Sequence, residues 1–208
     1  MKIIRALKGF TLIELLVVIS IIAILASLAV PAVTGALVKG QIIQAVSNCR
    51  QIHLAAMSMA TDAATNSDST MGWPGDTKDG STAIYATADA YVTGATGLLG
   101  EGYLKGEDLK IFAAPGIPAV TGTGTSAGSW KYANNSAFYI YQVTGNAAST
   151  AVFLTTKNVD ASTSALATSG TVPFGTKGYV ICRMGGDVGK YTSLTSGSGT
   201  YSGSNAKF

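Results

Sequence analysis

A single carboxylate, Glu14, interrupts an apolar run that begins at Phe10 and extends to Val30. An ionisable side chain within such a run costs about 2.5–3.5 kcal/mol when it enters a membrane, and it usually has a function there. The run contains no Lys or Arg, but cleavage of the chain after Gly9 would give Phe10 an α-ammonium group four residues away. A charge pair in an apolar assembly is tolerated when both members are present. The stretch therefore predicts a processing site and a charge pair that guides assembly.

The residues around this carboxylate resemble the class III signal of type IV prepilins and type II secretion pseudopilins. The resemblance rests on the basic leader ending in Lys8-Gly9, the Phe at position 10, Glu14 as the fifth mature residue, and Pro31 at the customary break in the helix. It implies cleavage after Gly9 and N-methylation of Phe10 by a prepilin peptidase. It also implies storage in the inner membrane and extraction into a helical homopolymer by an assembly platform, with Phe10, Glu14 and Pro31 as assembly residues.

A weaker resemblance to pilin-like proteins lies further along the chain. It joins the helix end Ser47-Asn48-Cys49-Arg50-Gln51-Ile52 to the loop Trp73-Pro74-Gly75-Asp76. The two resemblances together cover roughly the first third of the sequence. They favour a structural subunit of a type IV pilus or pilus-like filament, and a periplasmic pseudopilin of type II secretion is the alternative within the family.

Two simpler interpretations of the N-terminus remain open. Lys2, Arg5 and Lys8 before an apolar run that ends in Ser27-Leu28-Ala29 also fit an ordinary secretory signal, cleaved after Ala29. That alternative predicts a secreted β-rich binding protein. A plain single-pass anchor is the other interpretation, and both leave Glu14 without a purpose.

The chain offers little for catalysis or for metal binding. Gly124-Thr125-Ser126-Ala127-Gly128 matches a hydrolase elbow, but the only histidine, His53, precedes it and the surroundings are loop-like. Gly185 to Lys190 falls one residue short of a P-loop. We therefore expect no enzyme and no cofactor. Asp76, Asp79 and Asp187 are weak candidates for a calcium site, because the spaced acids of a calcium loop are missing.

Two cysteines, Cys49 and Cys182, are expected in a compartment that permits disulfides. They would join helix to sheet if both faced the core, and two buried free thiols are the alternative. Pilins of the adhesive kind usually close a C-terminal loop with two cysteines near the end of the sequence, and this chain does not follow that pattern.

Charge argues against a polyanion partner. The chain has fourteen basic and eleven acidic residues, and three of the basic ones precede Gly9, so the part from Phe10 onward carries eleven of each sign. We expect no nucleic-acid site. The three leader charges instead hold the N-terminus on the cytoplasmic side and send the rest of the chain outward.

Helical periodicity continues beyond Pro31, which predicts a kink rather than a helix end. One apolar stripe recurs at helical spacing, and it needs a surface to cover it. His53 lies near this stripe, where a core or interface role is expected. The stripe consists of Val38, Ile42, Ala45, Cys49, Ile52, Ala56 and Ala60.

After Asp62 the pattern becomes that of loops, with Ala83 to Val92 as a strand or short helix and Leu98 to Phe112 as a compact apolar turn capped by Glu107 and Asp108. From Ser129 onward the period is two, which predicts an antiparallel meander. Its strands are Trp130 to Tyr132, Ala137 to Val143, Thr150 to Lys157, Gly178 to Arg183, and Val188 to Thr192 after a turn at Met184 to Asp187.

The predicted fold is therefore α+β, with a long N-terminal helix, first transmembrane and then amphipathic, packed on an antiparallel sheet in the shape of a lollipop. The predicted divisions are a leader peptide (1–9), a transmembrane and filament-core helix (10–31), an amphipathic helix (32–61), and a globular head (62–208) with Ser/Gly/Thr-rich loops, of which 120–129, 160–171 and 193–205 are the longest.

Overall fold

The computed structural model describes residues 10–125, 130–160, 165–166 and 173–192. The leader, with Gly9, lies outside the described residues, and so does the predicted tail 193–205. Parts of the two loops 120–129 and 160–171 lie outside them as well. The chain divides into two compact units, Met1–Lys39 and Gly40–Phe208.

A single helix, α1, spans Leu12–Asn66 and continues through Pro31. It ends five residues later than predicted, so placing Thr65 and Asn66 in a loop was wrong. Ala63 is buried, and its carbonyl accepts a hydrogen bond from the Asp68 N–H at 2.9 Å. Ser67 has a φ of 54°, the left-handed conformation that ends a helix in this hydrogen-bonding pattern. The Ala-rich end therefore stays helical until the backbone turns at Ser67.

The other elements lie in the second unit. Three short helical pieces are α2 (Ala88–Thr93), a 3-10 helix (Gly106–Phe112) and α3 (Tyr132–Asn135). The strands are β1 (Phe138–Ile140), β2 (Val152–Thr156), β3 (Val159–Asp160), β4 (Ala165–Leu166), β5 (Tyr179–Arg183) and β6 (Val188–Tyr191).

Four strands form an antiparallel sheet in the order β1-β2-β5-β6. Leu154 in β2 pairs with Cys182 in β5, and Cys182 pairs with Val188 in β6. The register shifts between Val152 and Leu154, where Phe153 is the extra residue of a bulge. β3 and β4 form a separate two-stranded ribbon.

The C-terminal part of α1 packs along β5. A Cβ placed on Gly178, just before β5, would lie 3.2 Å from Ile42 Cδ1. At the other end of β5, the His53 ring nitrogen Nε2 lies 3.0 Å from the Met184 carbonyl oxygen. Five members of the predicted stripe are buried, and Val38 and Ala60 at its ends are half-buried. The α+β prediction, a long N-terminal helix packed on an antiparallel sheet, is confirmed.

Several local predictions need correction. Trp130 to Tyr132 is not a strand, because Tyr132 begins α3, where its N–H donates to the Asp89 carboxylate at 2.6 Å and the Lys131 N–H donates to Asn135 Oδ1 at 2.9 Å. The loop predicted at 160–171 contains β4, paired with β3. The ambiguous stretch Ala83 to Val92 holds a helix, α2, whose N-cap is Thr87.

The predicted apolar turn from Leu98 to Phe112 is present. Its side chains Leu98, Leu99 and Leu109 are fully buried. Asp108 caps its 3-10 helix by accepting the Lys105 N–H at 3.0 Å, while Glu107 lies in the first turn. His53 is buried beside Trp73 and Phe153, with ring centroids 5.8 and 6.0 Å away, as a core role predicts.

Candidate functional site

The first turn of α1 is closed by a reciprocal pair of hydrogen bonds between Thr11 and Glu14. The Glu14 carboxylate accepts the Thr11 N–H at 2.8 Å and the Thr11 hydroxyl at 2.7 Å. In return, the Thr11 hydroxyl oxygen accepts the Glu14 N–H at 3.3 Å. This arrangement is a capping box, in which the side chains of the N-cap and of the third helical residue satisfy N–H groups that a helix start otherwise leaves free.

Glu14 thus has a structural partner in the unprocessed chain, and that partner is Thr11. Phe10 lies next to it with its side chain exposed, and its nitrogen is still part of a peptide bond because the leader is attached. The predicted pair between the Phe10 α-ammonium and Glu14 requires cleavage and stays a prediction. The role of Thr11 was not predicted, although Thr-x-x-Glu before an apolar run is a recognisable capping-box pattern.

Behind this turn, α1 presents apolar side chains around its whole circumference. From Leu12 to Val30 its large hydrophobic side chains are 48–81% exposed. The most apolar 18-residue window of α1 has a mean hydropathy of 2.8, and none of it is buried within the protein. Soluble surfaces rarely carry so large a continuous apolar area, so this stretch requires a non-aqueous environment, either lipid or other protein. Its length suffices to cross a bilayer.

The hydroxyl groups in this stretch, and that of Thr34 just after it, are satisfied within the helix. Ser20 donates to the Leu16 carbonyl at 2.8 Å, Ser27 to the Ile24 carbonyl at 2.7 Å, and Thr34 to the Pro31 carbonyl at 2.9 Å. A polar group that enters an apolar medium without a partner costs several kcal/mol. These internal bonds let the helix enter lipid or a protein core without that cost.

Pro31 is the one point where the backbone ladder of the apolar stretch is weakened. Proline has no N–H, so the carbonyl of Ser27, four residues earlier, loses its usual donor. The structure keeps Pro31 inside the helix, as the sequence predicts. Its predicted role in assembly stays a prediction.

The two cysteines lie in the second unit, both as free, fully buried thiols. Burial raises the pKa of the Cys49 thiol well above its ordinary value, and the nearby Cys182 raises it further. Burial likewise raises the pKa of Cys182 to about 12. The Cys182 thiol lies 3.7 Å from the Arg183 carbonyl oxygen. Both cysteines are therefore buried in the core, as a helix-to-sheet pair requires, and the predicted disulfide stays a prediction.

The three carboxylates considered for calcium are each engaged elsewhere. Asp76 accepts the N–H groups of Trp73 and Gly145, and Asp79 accepts those of Ser81 and Thr82. Asp187 forms an ion pair with Arg183. Within the part of the chain that the structure describes, no three His, Cys, Asp or Glu side chains converge as metal ligands would. The calcium candidates stay a prediction.

The Asp79 carboxylate stabilises its own turn by accepting hydrogen bonds from the residues that follow it. Its four hydrogen bonds, two from N–H groups and two from the hydroxyls of Ser81 and Thr82, lower the pKa of the carboxyl to about 2. The carboxylate therefore stays ionised at any physiological pH and holds the turn 79–82 together.

Comparison with known proteins bears on the first stretch only. Residues 4–30 match the family described as the prokaryotic N-terminal methylation motif. No curated protein and no solved structure gives a significant match to the chain. The matched segment contains Gly9, Phe10, Thr11 and Glu14 and most of the exposed apolar helix. The sequence motif and the exposed helix agree, and together they support a prepilin-like N-terminal segment.

Proposed function

We propose that this protein is a structural subunit of a type IV pilus or pilus-like filament, and that it has no catalytic activity of its own. One observation carries the proposal: a methylation motif over residues 4–30 leads into a helix whose apolar side chains are exposed on every side. Such a helix has two natural environments, a membrane before assembly and the core of a filament afterwards.

In the proposed maturation, a prepilin peptidase cuts between Gly9 and Phe10 and methylates the new N-terminus. The cut removes Lys2, Arg5 and Lys8, and with them the positive charge that holds the leader in the cytoplasm. The mature chain then begins with an ammonium group next to the Thr11–Glu14 capping box. Glu14 can exchange its local partner for this ammonium group or for that of a neighbouring subunit.

In the proposed mechanism of assembly, a charge pair sets the axial register between neighbouring subunits. An inner-membrane assembly platform extracts the subunit from lipid, and copies of the helix pack against one another. A neighbour at the wrong axial offset would leave an ammonium group and a carboxylate unpaired in an apolar core, which costs about 3–5 kcal/mol for a broken buried pair. The pair therefore selects one offset.

The mature N-terminus tests the processing step. Mass spectrometry of the chain from its host should find Phe10 as the first residue, N-methylated, and Gly9→Val should leave the full-length precursor uncleaved. Lys8→Gln is the matched control, because it changes the preceding residue without adding bulk at the cut, and it should still be cleaved. A mature chain that begins at Val30 would refute the proposal and support an ordinary secretory signal.

A filament of pseudopilus type, confined to the periplasm, is the alternative outcome within the same family. The location of the polymer separates the two. Electron microscopy of intact cells and assay of sheared surface fractions should find this chain in long surface fibres if it is a pilus subunit. Its restriction to the periplasmic fraction would favour the pseudopilus.

A further inference from the structure

Cys49 and Cys182 are brought to the same level of the domain by two contacts that bracket them. The first contact places Ile42 of α1 next to Gly178, and the second places His53 next to Met184. Cys49 lies about 10 Å along the helix from Ile42, at 1.5 Å per residue. Cys182 lies about 13 Å along the strand from Gly178, at 3.3 Å per residue. The two cysteines therefore lie at similar distances from the contact between Ile42 and Gly178, measured along the helix and along the strand.

Both side chains also point into the same interface. Gly178, directly before β5, has its Cβ direction aimed at Ile42 of α1, and within β5 the charge of Arg50 on α1 acts on the Cys182 thiol, so Cys182 lies on the side of the strand near α1. On the helix, Cys49 follows Ile42 by seven residues, which is close to two full turns and the same face. Cys49 and Cys182 are both 0% exposed. Both thiols are thus placed in the interface between α1 and β5, near enough for Cys182 to raise the pKa of the Cys49 thiol.

We propose that Cys49 and Cys182 form an intramolecular disulfide in the exported protein, which fastens α1 to β5. The proposal goes beyond filament formation and relies on the proposed function only for placing this domain outside the cytoplasm, where disulfides form. The bond would close a loop of about 130 residues, and long loops gain most from such a link in the chain-entropy description.

The oxidant is a disulfide of the thioredoxin-like oxidoreductase class that serves the cell envelope. One cysteine thiolate attacks the disulfide of the oxidant and forms a mixed disulfide, which releases one oxidant thiolate. The second cysteine attacks the sulfur of the first and releases the other oxidant thiolate. Two electrons pass to the oxidant, and the two protons from Cys49 and Cys182 end on its thiols.

The time at which the bond forms follows from the burial of both sulfurs. In the folded domain neither thiol is open to a protein oxidant, and burial raises both pKa values, which suppresses the attacking thiolate. Oxidation therefore takes place during folding, before the sheet covers α1. Once closed, the bond lies in the core and is out of reach of reductants.

The test counts free thiols in the intact chain taken from its host. Cells are quenched in acid, the chain is denatured, and N-ethylmaleimide is added with or without prior reduction. We expect no adduct without the reductant and an adduct on both cysteines after it. Trypsin, which cuts after Lys39, Arg50, Lys177 and Arg183, should release peptides 40–50 and 178–183 joined through their single cysteines. Adducts on both cysteines without reduction, or a disulfide-linked dimer, would refute the proposal.

Two controls make the result specific. Cys49→Ser and Cys182→Ser each leave one thiol, which should react without reductant whether or not the variant folds. For wild-type protein that is reduced while denatured and then refolded in detergent, the melting temperature should be roughly 5–15 °C lower than without reduction, and the double serine variant should not respond to the reductant. An equal response of the two proteins would contradict a role for the bond.

A protease added to spheroplasts separates this proposal from the proposed function. If the domain is digested, it lies outside the cytoplasm, and reactive thiols would then refute the disulfide alone. If the domain is protected and both thiols are reduced, the disulfide fails together with the proposed export of the domain.

Discussion

Residues 12–39 and residues 40–66 belong to the same helix, yet their side chains are exposed in different patterns. The first stretch displays large apolar side chains on all sides. The second buries one stripe and exposes mainly polar residues, together with Ile43, Leu54 and Met57. Both stretches are helical, and only the donor missing at Pro31 interrupts their backbone hydrogen bonds, so helicity does not distinguish them. The difference lies in what covers each surface. The second stretch is covered by its own sheet, and the first must be covered by lipid or by other subunits.

Side chains in the two stretches are expected to have different roles, in assembly for the first and in domain stability for the second. A substitution in the first stretch should affect assembly and leave the stability of the domain unchanged. A substitution in the buried stripe of the second should affect stability, and filaments only as a consequence. The following predictions test that separation.

The largest expected effect is on assembly, from Glu14→Leu. The variant removes the carboxylate and leaves a neighbour's ammonium group unpaired, so filament yield should fall by roughly tenfold or more while cleavage and membrane insertion continue. Yield is measured from sheared fibres and by electron microscopy of cells with this variant as the only copy. The melting temperature of the domain should not change.

Glu14→Gln and Thr11→Val are the matched controls for this prediction. Gln keeps an oxygen that can accept from Thr11, so the helix start survives without the charge, and filament yield should be intermediate at best. Thr11→Val keeps the charge and removes the capping hydroxyl, which costs about 1 kcal/mol at a helix start and should reduce yield less than Glu14→Leu does. Normal filaments in Glu14→Leu would show that the carboxylate does not direct assembly.

The next effect is on stability, from Ile52→Asp in the second stretch. Ile52 is 0% exposed, so the variant loses a buried side chain and places a carboxylate among apolar groups, which should cost about 4 kcal/mol or more. Thermal unfolding of the mature chain in detergent, followed by fluorescence of the buried Trp73 and Trp130, measures the loss.

Leu54→Asp provides the control two residues further along the same helix. Leu54 is 64% exposed, so the same introduced charge should change the free energy of unfolding by only about 0.5 kcal/mol. Equal destabilisation by the two variants would mean that the buried face of α1 is not the one bearing Ile52. No loss from Ile52→Asp would mean the same.

The long helix, its buried stripe and the strands β2, β5 and β6 were predictable from the sequence, because each follows a clear period. The apolar stripe from Ile42 to Ala56 repeats every three or four residues, and the turn at Met184 to Asp187 separates two alternating runs. These are local patterns that tertiary contacts reinforce.

The errors occur where distant contacts decide the local structure. Trp130 to Tyr132 alternates like a strand, but hydrogen bonds from Tyr132 to Asp89 and from Lys131 to Asn135 hold it as the start of α3. β3 and β4 are two residues each, too short to leave a periodic pattern. At the candidate site the charge of Glu14 was identified, and its Thr11 partner was overlooked although the pattern is local. The proposed pairing of Cys49 with Cys182 depends on helix–strand register, which spacing alone does not fix.

The smallest expected effect concerns two aspartates of the second unit, one with long-range partners and one with local partners. Asp76 accepts the Trp73 N–H at 2.7 Å and the Gly145 N–H at 2.8 Å. One carboxylate therefore joins the loop at Trp73 to Gly145, which lies 69 positions after Asp76. Asp79 also accepts two N–H groups, but both belong to its own turn, and its side chain is exposed. The two residues thus match in chemistry and differ in what they connect.

Asp76→Ala should therefore lower the free energy of unfolding by about 1–3 kcal/mol, because the N–H of the buried Trp73 loses its acceptor and the exposed Gly145 loses its link to this loop. Asp76→Asn should recover only part of this loss, since an amide has one acceptor oxygen and would turn its NH₂ toward the other donor. Asp79→Ala should change the free energy of unfolding far less than Asp76→Ala does, because water replaces the carboxylate at an exposed turn. Urea unfolding of the three variants, followed by tryptophan fluorescence, gives the order. If Asp79→Ala is as harmful as Asp76→Ala, the link to Gly145 does not support the domain.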